Sequence, residues 1–238
     1  VNVDVINKGD FRFNVGAIYN YNRNKLDELP NADQYLYSSY WGSSSLVPTN
    51  DYMFVEGKAI GLVRGFISEG YYTVDDFNYT NGQYVLKEGV PDITKALTAT
   101  YMHPYDLPAG QTAFPGAAKF RDVDESGTVD LDDATCLGEV MPRHTGSFQL
   151  NFNYKNFDLT VDFQFTLGVD VLQDFLHSTQ SRFLTSGLST ILTDAWSPEN
   201  KNTKVQMIFN RQYGDSYTDQ NFNSSWLADG SYLRLSLI

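Results

Sequence analysis

The chain has 238 residues, a formal net charge of −12, one cysteine, three histidines and an aromatic content of 15%. So acidic a chain, with no cluster of Lys and Arg, does not suit nucleic acid as a partner; the lone Cys136 rules out an internal disulfide framework, and the scattered histidines give no zinc spacing. No apolar run is long enough for a membrane helix, which leaves the weaker alternating signal of β-strands as the only membrane signature to look for.

Val1, Val3 and Val5 alternate with Asn2, Asp4 and Ile6, so the first residues read as a strand and not as a signal sequence. Asn7-Lys8-Gly9-Asp10 supplies turn chemistry, with the tight turn expected at Lys8-Gly9. Phe11, Phe13, Val15, Ala17, Tyr19 and Tyr21 then share one face, and Arg12, Asn14, Gly16 and Asn20 the other, with Ile18 out of phase. Residues 1–21 are therefore a hairpin, and its return arm has about the ten residues that a tilted strand needs to cross a bilayer.

From 22 to 145 the alternation is lost in a segment rich in Tyr, Gly, Ser and Asp, with prolines at Pro30, Pro48, Pro91, Pro104, Pro108 and Pro115. A structureless loop of that length is unusual, so the segment is expected to fold on itself. Small strands are expected at Tyr52 to Val55 and Gln83 to Leu86, and a helical turn at Thr73 to Phe77, with Asp75 and Asp76 near its start. Tyr35, Tyr37, Tyr40 and Trp41 are the candidate ligand-contacting aromatics. Rings of this kind stack on sugars or pack a loop, and packing is the expectation because aromatics carry much of any core.

The sharpest local motif runs from Asp122 to Asp133, DVDESGTVDLDD. It matches the calcium loop: oxygen ligands at Asp122, Asp124 and Ser126, a sharp turn at Gly127, a backbone carbonyl at Thr128, and Asp130 directly or through water. Asp133 is the last ligand, where the helix-framed version of the loop has Glu, and no amphipathic helix precedes Asp122. The expected cofactor is a structural calcium ion, set against an acidic surface turn without metal. Cys136, just beyond, is expected to be small and buried.

A second hairpin occupies 146–168. Phe148, Leu150, Phe152 and Tyr154 alternate with Gln149, Asn151 and Asn153; after Lys155-Asn156, Phe157, Leu159, Val161, Phe163 and Phe165 alternate with Asp158, Thr160, Asp162 and Gln164. In a soluble sandwich the apolar face packs on another sheet, and in an outer-membrane barrel it faces lipid while the polar face lines a wet lumen. Residues 169–229 are again irregular, with Leu188, Ile191, Leu192, Ala195 and Trp196 at helical spacing before Pro198, which predicts one short amphipathic helix. Residues 230–238 open a further strand. Short turns on one side and long excursions on the other are the asymmetry of outer-membrane barrels. The fold expected is mainly β: antiparallel strands forming part of a transmembrane β-barrel, with long extracellular loops at 22–145 and 169–229 and one or two short helices.

Nothing points to an enzyme. There is no GxSxG elbow, glycine-rich phosphate loop or HExxH, and no pattern sets two carboxylates across a glycosidase cleft. Asn78-Tyr79-Thr80 and Asn223-Ser224-Ser225 match an N-glycosylation pattern that is common by chance.

An ordered series of short motifs carries a more specific signal: Glu56-Gly57 with Gly61, Gly65-Phe66 and Gly70; Pro115-Gly116 through Lys119-Phe120 to Asp122; Gly138, Pro142 and Gly146; YKNFDLT at Tyr154 to Thr160; WSPEN at Trp196 to Asn200; and DGSYLRL at Asp229 to Leu235. In this series the chain resembles the C-terminal barrel half of the SusC/RagA-type TonB-dependent transporters of the Bacteroidetes outer membrane. The resemblance implies a large barrel with an N-terminal plug. It also implies a SusD-like surface lipoprotein as partner, import of an oligosaccharide or peptide, and energy from TonB through a part of the barrel protein not present here. Five strands fall short of the roughly eight that the smallest barrel needs, so the chain is expected to be a piece of a larger barrel domain. The alternative is a secreted, calcium-stabilised β-sandwich that binds glycans.

Overall fold

The computed structural model describes residues 1–30, 33–39, 48–94, 97, 105–173, 190–197, 199–200, 203, 205 and 221–238. Five strands, Asn2–Lys8, Phe11–Tyr21, His144–Tyr154, Phe157–Leu167 and Tyr232–Leu237, form one antiparallel sheet in chain order. The second hairpin thus enters the sheet at His144, two residues ahead of the position expected from the sequence. The register sets Phe148 opposite Phe163 on one side and Ala17 on the other, so the apolar residues of neighbouring strands line up. Phe148 stacks on Phe163 with ring centroids 4.6 Å apart, and Phe13 on Phe152 at 4.4 Å. Cross-strand hydrogen bonds knit the opposite face: Thr160 Oγ1 donates to Asn151 Oδ1 at 2.9 Å and Asn14 Nδ2 to Asp4 Oδ1 at 2.9 Å.

The register between the first two strands shifts between Asp4 and Ile6, leaving Asp4 opposite Asn14 and Ile6 opposite Phe13. This bulge brings Ile6 onto the apolar face, where strict alternation from Val1 would have placed it among the polar residues. Both turns lie at one end of the sheet. Lys8 faces Phe11 and Tyr154 faces Phe157, so the turns are Gly9-Asp10 and Lys155-Asn156, with φ of 61° at Gly9 and 56° at Lys155. The first turn therefore falls one residue later than Lys8-Gly9, because its first central position needs a positive φ and Gly9 adopts it without a Cβ clash.

Little protein covers the apolar face. Phe157 is 79% exposed, Leu233 62% and Tyr19 63%, and among the described residues no second sheet packs on the wall. A β-sandwich requires such a facing sheet. No helix among the described residues is long and apolar enough to cross a membrane.

The buried core lies instead within the excursions. As expected, 22–145 folds on itself: Phe66, Tyr72, Phe77, Ile93, Phe114, Phe120 and Val129 form one cluster. Around it stand a four-stranded sheet in the order Thr135–Glu139, Leu62–Gly65, Tyr52–Val55 and Gln34–Tyr37, and the pair Ser68–Tyr71 with Ala118–Phe120. Phe77–Thr80 and Gln83–Leu86 form a hairpin through Asn81-Gly82, with φ of 53° and 86°, the two left-handed residues that the commonest two-residue hairpin turn demands. The turn expected after Thr73 is a 3-10 turn, Val74–Asp76, capped by Thr73 and held by an ion pair of 2.9 Å between Asp76 and Lys119. Burial alone would raise the Asp76 carboxyl, but hydrogen bonds from Thr73 and the Lys119 ammonium outweigh it and hold the pKa below the ordinary aspartate value.

In the second excursion a 3-10 segment, Thr190–Asp194, stands where an amphipathic helix was expected; Leu188 and Pro198 lie outside the described residues. Thr190, Ile191 and Thr193 are β-branched, which weakens an α-helix. Segment 221–224 stitches the two excursions together. Phe66 N donates to Phe222 O and Ser224 N to Phe66 O, each at 2.9 Å, and a Cβ at Gly65 would strike the Phe222 carbonyl. Cys136, expected to be buried, is exposed: side chains alternate along its strand, and it is the neighbouring Leu137 that packs against the buried Val63, Phe222 and Trp226.

Gly146 lies on the apolar face, paired with Tyr19 and Phe165, and a Cβ there would strike the Ile18 carbonyl and the Phe165 ring. Gly146→Val is expected to destabilise the wall by about 1–3 kcal/mol. The readout is the temperature at which the folded band of the full-length protein shifts in electrophoresis of unheated samples, and an unchanged transition would contradict the packing described.

Candidate functional site

The acidic loop is anchored at both ends. Phe120 belongs to the core, and Thr128–Val129, with Val129 fully buried, pairs in parallel with Asp92–Ile93. Beyond it, Leu131–Asp133 is a 3-10 turn whose cap is Asp130, which accepts from Asp132 N at 2.8 Å. Arg64 Nη2 donates to Leu131 O at 2.9 Å and ties the turn to the four-stranded sheet. Burial lowers the Arg64 pKa, and nearby Asp132 offsets part of that. Glu125 and Gly127 take φ of 58° and 87°, bending the chain so that backbone N–H groups point inward.

Asp133 is fully buried and organises the loop: its oxygens accept from Val123 N at 2.5 Å, Asp124 N at 3.3 Å and Asp130 N at 2.8 Å. Asp122 accepts from Ser126 N at 3.1 Å and Gly127 N at 2.7 Å. Ser126 N also reaches Asp124 at 3.0 Å, and hydrogen bonding from Ser126 holds the Asp124 carboxyl below the ordinary aspartate value.

One oxygen from each of Asp122, Asp124 and Asp133 lies within 4.8 Å of the others. Two oxygens bound to one calcium ion at about 2.4 Å lie no further apart than that, so the spacing of these hard carboxylate oxygens is compatible with one such ion. Of the other expected ligands, Ser126 Oγ donates to Thr128 O at 3.0 Å, and Asp130 caps the following turn. The gathering of Asp122, Asp124 and Asp133 was legible in the sequence; the role of Asp133 as an acceptor for three backbone donors was not, although the Asp130-to-Asp133 spacing is that of a capping box.

Tyr35 and Tyr37 lie on the outer strand of the four-stranded sheet, Gln34–Tyr37, and both are exposed, so the packing expected of them is not what they do. Tyr35 meets only the tilted ring of Phe54 among ring contacts of the described residues, at 6.3 Å. Tyr40 and Trp41 lie outside the described residues. Asn223, the first residue of one glycosylation pattern, is buried and accepts from Ser225 N, which removes it from modification in the folded chain.

No family model matches the chain. It is 28% identical over 235 residues to TonB-dependent receptor P3 of Formosa agariphila, covering 99% of this chain and 20% of that protein. It is 29% identical over 165 residues to TonB-dependent receptor P26 of the same organism, covering 66% and 16%. The chain thus spans about a fifth or less of the length of the curated relatives it matches. Among solved structures it is similar to the RagAB peptide importer in the closed-closed state, with a TM-score of 0.58 and 19% identity over 98% of this chain and 21% of the other. For the open-open state the TM-score is 0.56 and the identity 18%, over 98% and 20%. At these identities the structural likeness is one of fold: a mainly antiparallel β chain forming part of a β-barrel. The resemblance carried by the ordered motifs is met by relatives that bear the name TonB-dependent receptor.

Asp133→Ala leaves three backbone donors without their acceptor and is expected to lower the stability of this segment by about 2–4 kcal/mol. Amide exchange over 122–133 in the full-length protein is the measurement. Exchange as slow as in the unsubstituted protein would rule out the organising role given to Asp133.

Proposed function

We propose that the chain is a stretch of the barrel and outer loops of a TonB-dependent outer-membrane transporter that imports glycans or peptides with a SusD-like surface lipoprotein, and that it has no enzymatic role. The observation that carries this reading is the wall itself: an in-register apolar face on which no second sheet packs among the described residues, backed by a hydrogen-bonded polar face. A bilayer accepts such a sheet only as part of a closed barrel, because an unpaired strand edge cannot be solvated in hydrocarbon. Similarity to TonB-dependent receptors along nearly the whole chain supports the same reading.

In this arrangement Phe163 faces lipid and Asp162 the lumen. The turns Gly9-Asp10 and Lys155-Asn156 are periplasmic, and both excursions lie outside the cell. Energy from TonB would reach the wall through parts of the protein beyond this stretch. Tyr35, Tyr37, Tyr40 and Trp41 are proposed to meet ligand or partner; the exposure of Tyr35 and Tyr37 supports that role.

For the acidic loop we propose a structural calcium ion held by Asp122, Asp124 and Asp133, completed by Ser126, Thr128 and Asp130 directly or through water. The ion's contribution is to relieve repulsion among carboxylates gathered at one point and so stiffen the loop. The residues themselves set its position through Asp133, whose backbone bonds fix the loop from inside.

The full-length protein is expected to stay in the membrane pellet after alkaline extraction and to migrate differently when unheated. Exposed Cys136 is expected to react on intact cells with a membrane-impermeant maleimide, and Cys136→Ser to lose that label. Release into the soluble fraction would refute the membrane reading, and labelling only after the outer membrane is broken would invert the orientation. Calorimetry is expected to find calcium binding in the range of about 10⁻⁶–10⁻³ M, abolished by Asp124→Ala. A melting temperature indifferent to chelator would remove the ion from the account.

A further inference from the structure

Where the two excursions meet they leave a cleft of about 660 Å³, between the strand Ser68–Tyr71 and the segment 224–227. That volume lies within the range of about 300–1,000 Å³ typical of small-ligand sites. Its walls combine three kinds of group. Ser68 Oγ accepts from Gly70 N at 3.3 Å and Ser224 Oγ accepts from Ser68 N at 3.0 Å, so each hydroxyl is held in place as an acceptor while its own proton is given to no described residue. Ser225 Oγ donates to Asn223 Oδ1 and lines the same cleft. Glu69 adds a carboxylate steadied by Arg121 Nε at 3.1 Å, and Tyr71 adds ring surface.

Gly70 opens the approach. It has φ of 91°, and a Cβ built on it would meet nothing within 4 Å, so a ligand can reach the backbone there. Positioned O–H donors, hydroxyl and carboxylate acceptors and an aromatic surface, side by side, complement a molecule that carries hydroxyls on one edge and C–H groups on its face. The Glu69 carboxylate disfavours an anionic ligand, and so does the net charge of −12.

We infer that this cleft is a binding subsite for a neutral oligosaccharide, with Ser68 and Ser224 as donors, Glu69 as acceptor and Tyr71 as the stacking surface. The inference rests on the transporter reading for where the ligand comes from, and it narrows the substrate class to neutral glycans. The cleft joins residues 156 apart in the chain, Ser68 and Ser224, so an occupant would also hold the two excursions together.

The test titrates the full-length protein in detergent with maltotriose, cellotriose, mannotriose and xylotriose, and separately with trialanine. At least one trisaccharide is expected to bind, and Ser68→Ala with Ser224→Ala to weaken it roughly tenfold or more, each lost neutral hydrogen bond being worth up to about a factor of ten. Because Ser224→Ala also removes the acceptor for Ser68 N, Glu69→Gln is the second variant; it leaves the local backbone bonds in place and is expected to weaken the same saccharide. Failure of every trisaccharide to bind, or equal affinity in both variants, overturns the inference. Binding of trialanine that both variants lose overturns it in favour of a peptide subsite. Alkaline extraction separates the two readings: a protein that leaves the membrane refutes the transporter, whereas one that stays and binds no saccharide refutes the cleft alone.

Discussion

Backbone hydrogen bonding across the wall is the constraint on which the rest of the structure depends. In hydrocarbon no water satisfies an N–H or C=O, so the central strands must bond without interruption. They do: His144 to Tyr154 pair residue for residue with Leu167 to Phe157 on one side and with Tyr21 to Phe11 on the other. The irregularities fall on the flanking strands, between Asp4 and Ile6 and at Ser236, between the partners of Asp162 and Phe163. An unbroken ladder also fixes side-chain direction, since a slip of one residue would exchange the two faces. The stacking of Phe148 on Phe163 and of Phe13 on Phe152 is the lateral consequence of that register.

What could be read from the sequence follows from the same constraint. Alternation over 11–21 and 148–165 is local information, so the strands, their faces and the Lys155-Asn156 turn were legible. The bulge near Val5 was not, because it depends on which residue of the neighbouring strand Ile6 meets. Asn81-Gly82 carries hairpin turn chemistry, and the strand Gln83 to Leu86 that follows it was expected, whereas its partner Phe77–Thr80 was not. The four-stranded sheet and the stitch from Phe66 to segment 221–224 were beyond reach. They join distant segments through backbone bonds and carry no periodicity. The apparent helix before Pro198 misled because helical spacing of apolar residues says nothing about the β-branched residues between them.

Outside the wall the structure is held in another way. Much of 22–145 lies between short strands, and single aspartates take over the backbone bonds that a sheet would supply. Asp133 serves three donors in the acidic loop; Asp92 accepts from Ile93 N at 2.8 Å, Thr112 N at 3.1 Å and Ala113 N at 2.7 Å; buried Asp51 accepts from Ser39 N at 2.8 Å. An acidic composition is thus partly a folding device here: a short carboxylate collects N–H groups wherever a loop turns. Of the six residues that the loop pattern marks as ligands, the three whose carboxylates converge are themselves tied into this scaffold. Fold and candidate metal site therefore draw on the same side chains.

The central claim is that the two faces of one sheet meet two different solvents. Single tryptophans at Phe163 and at Asp162, neighbours in one strand with opposite directions, test it in the full-length protein with its native tryptophans, Trp41, Trp196 and Trp226 among them, replaced by phenylalanine and reconstituted into brominated phospholipid. The account predicts strong quenching for Phe163→Trp and little for Asp162→Trp. Equal quenching at both positions, or the reverse order, would contradict it.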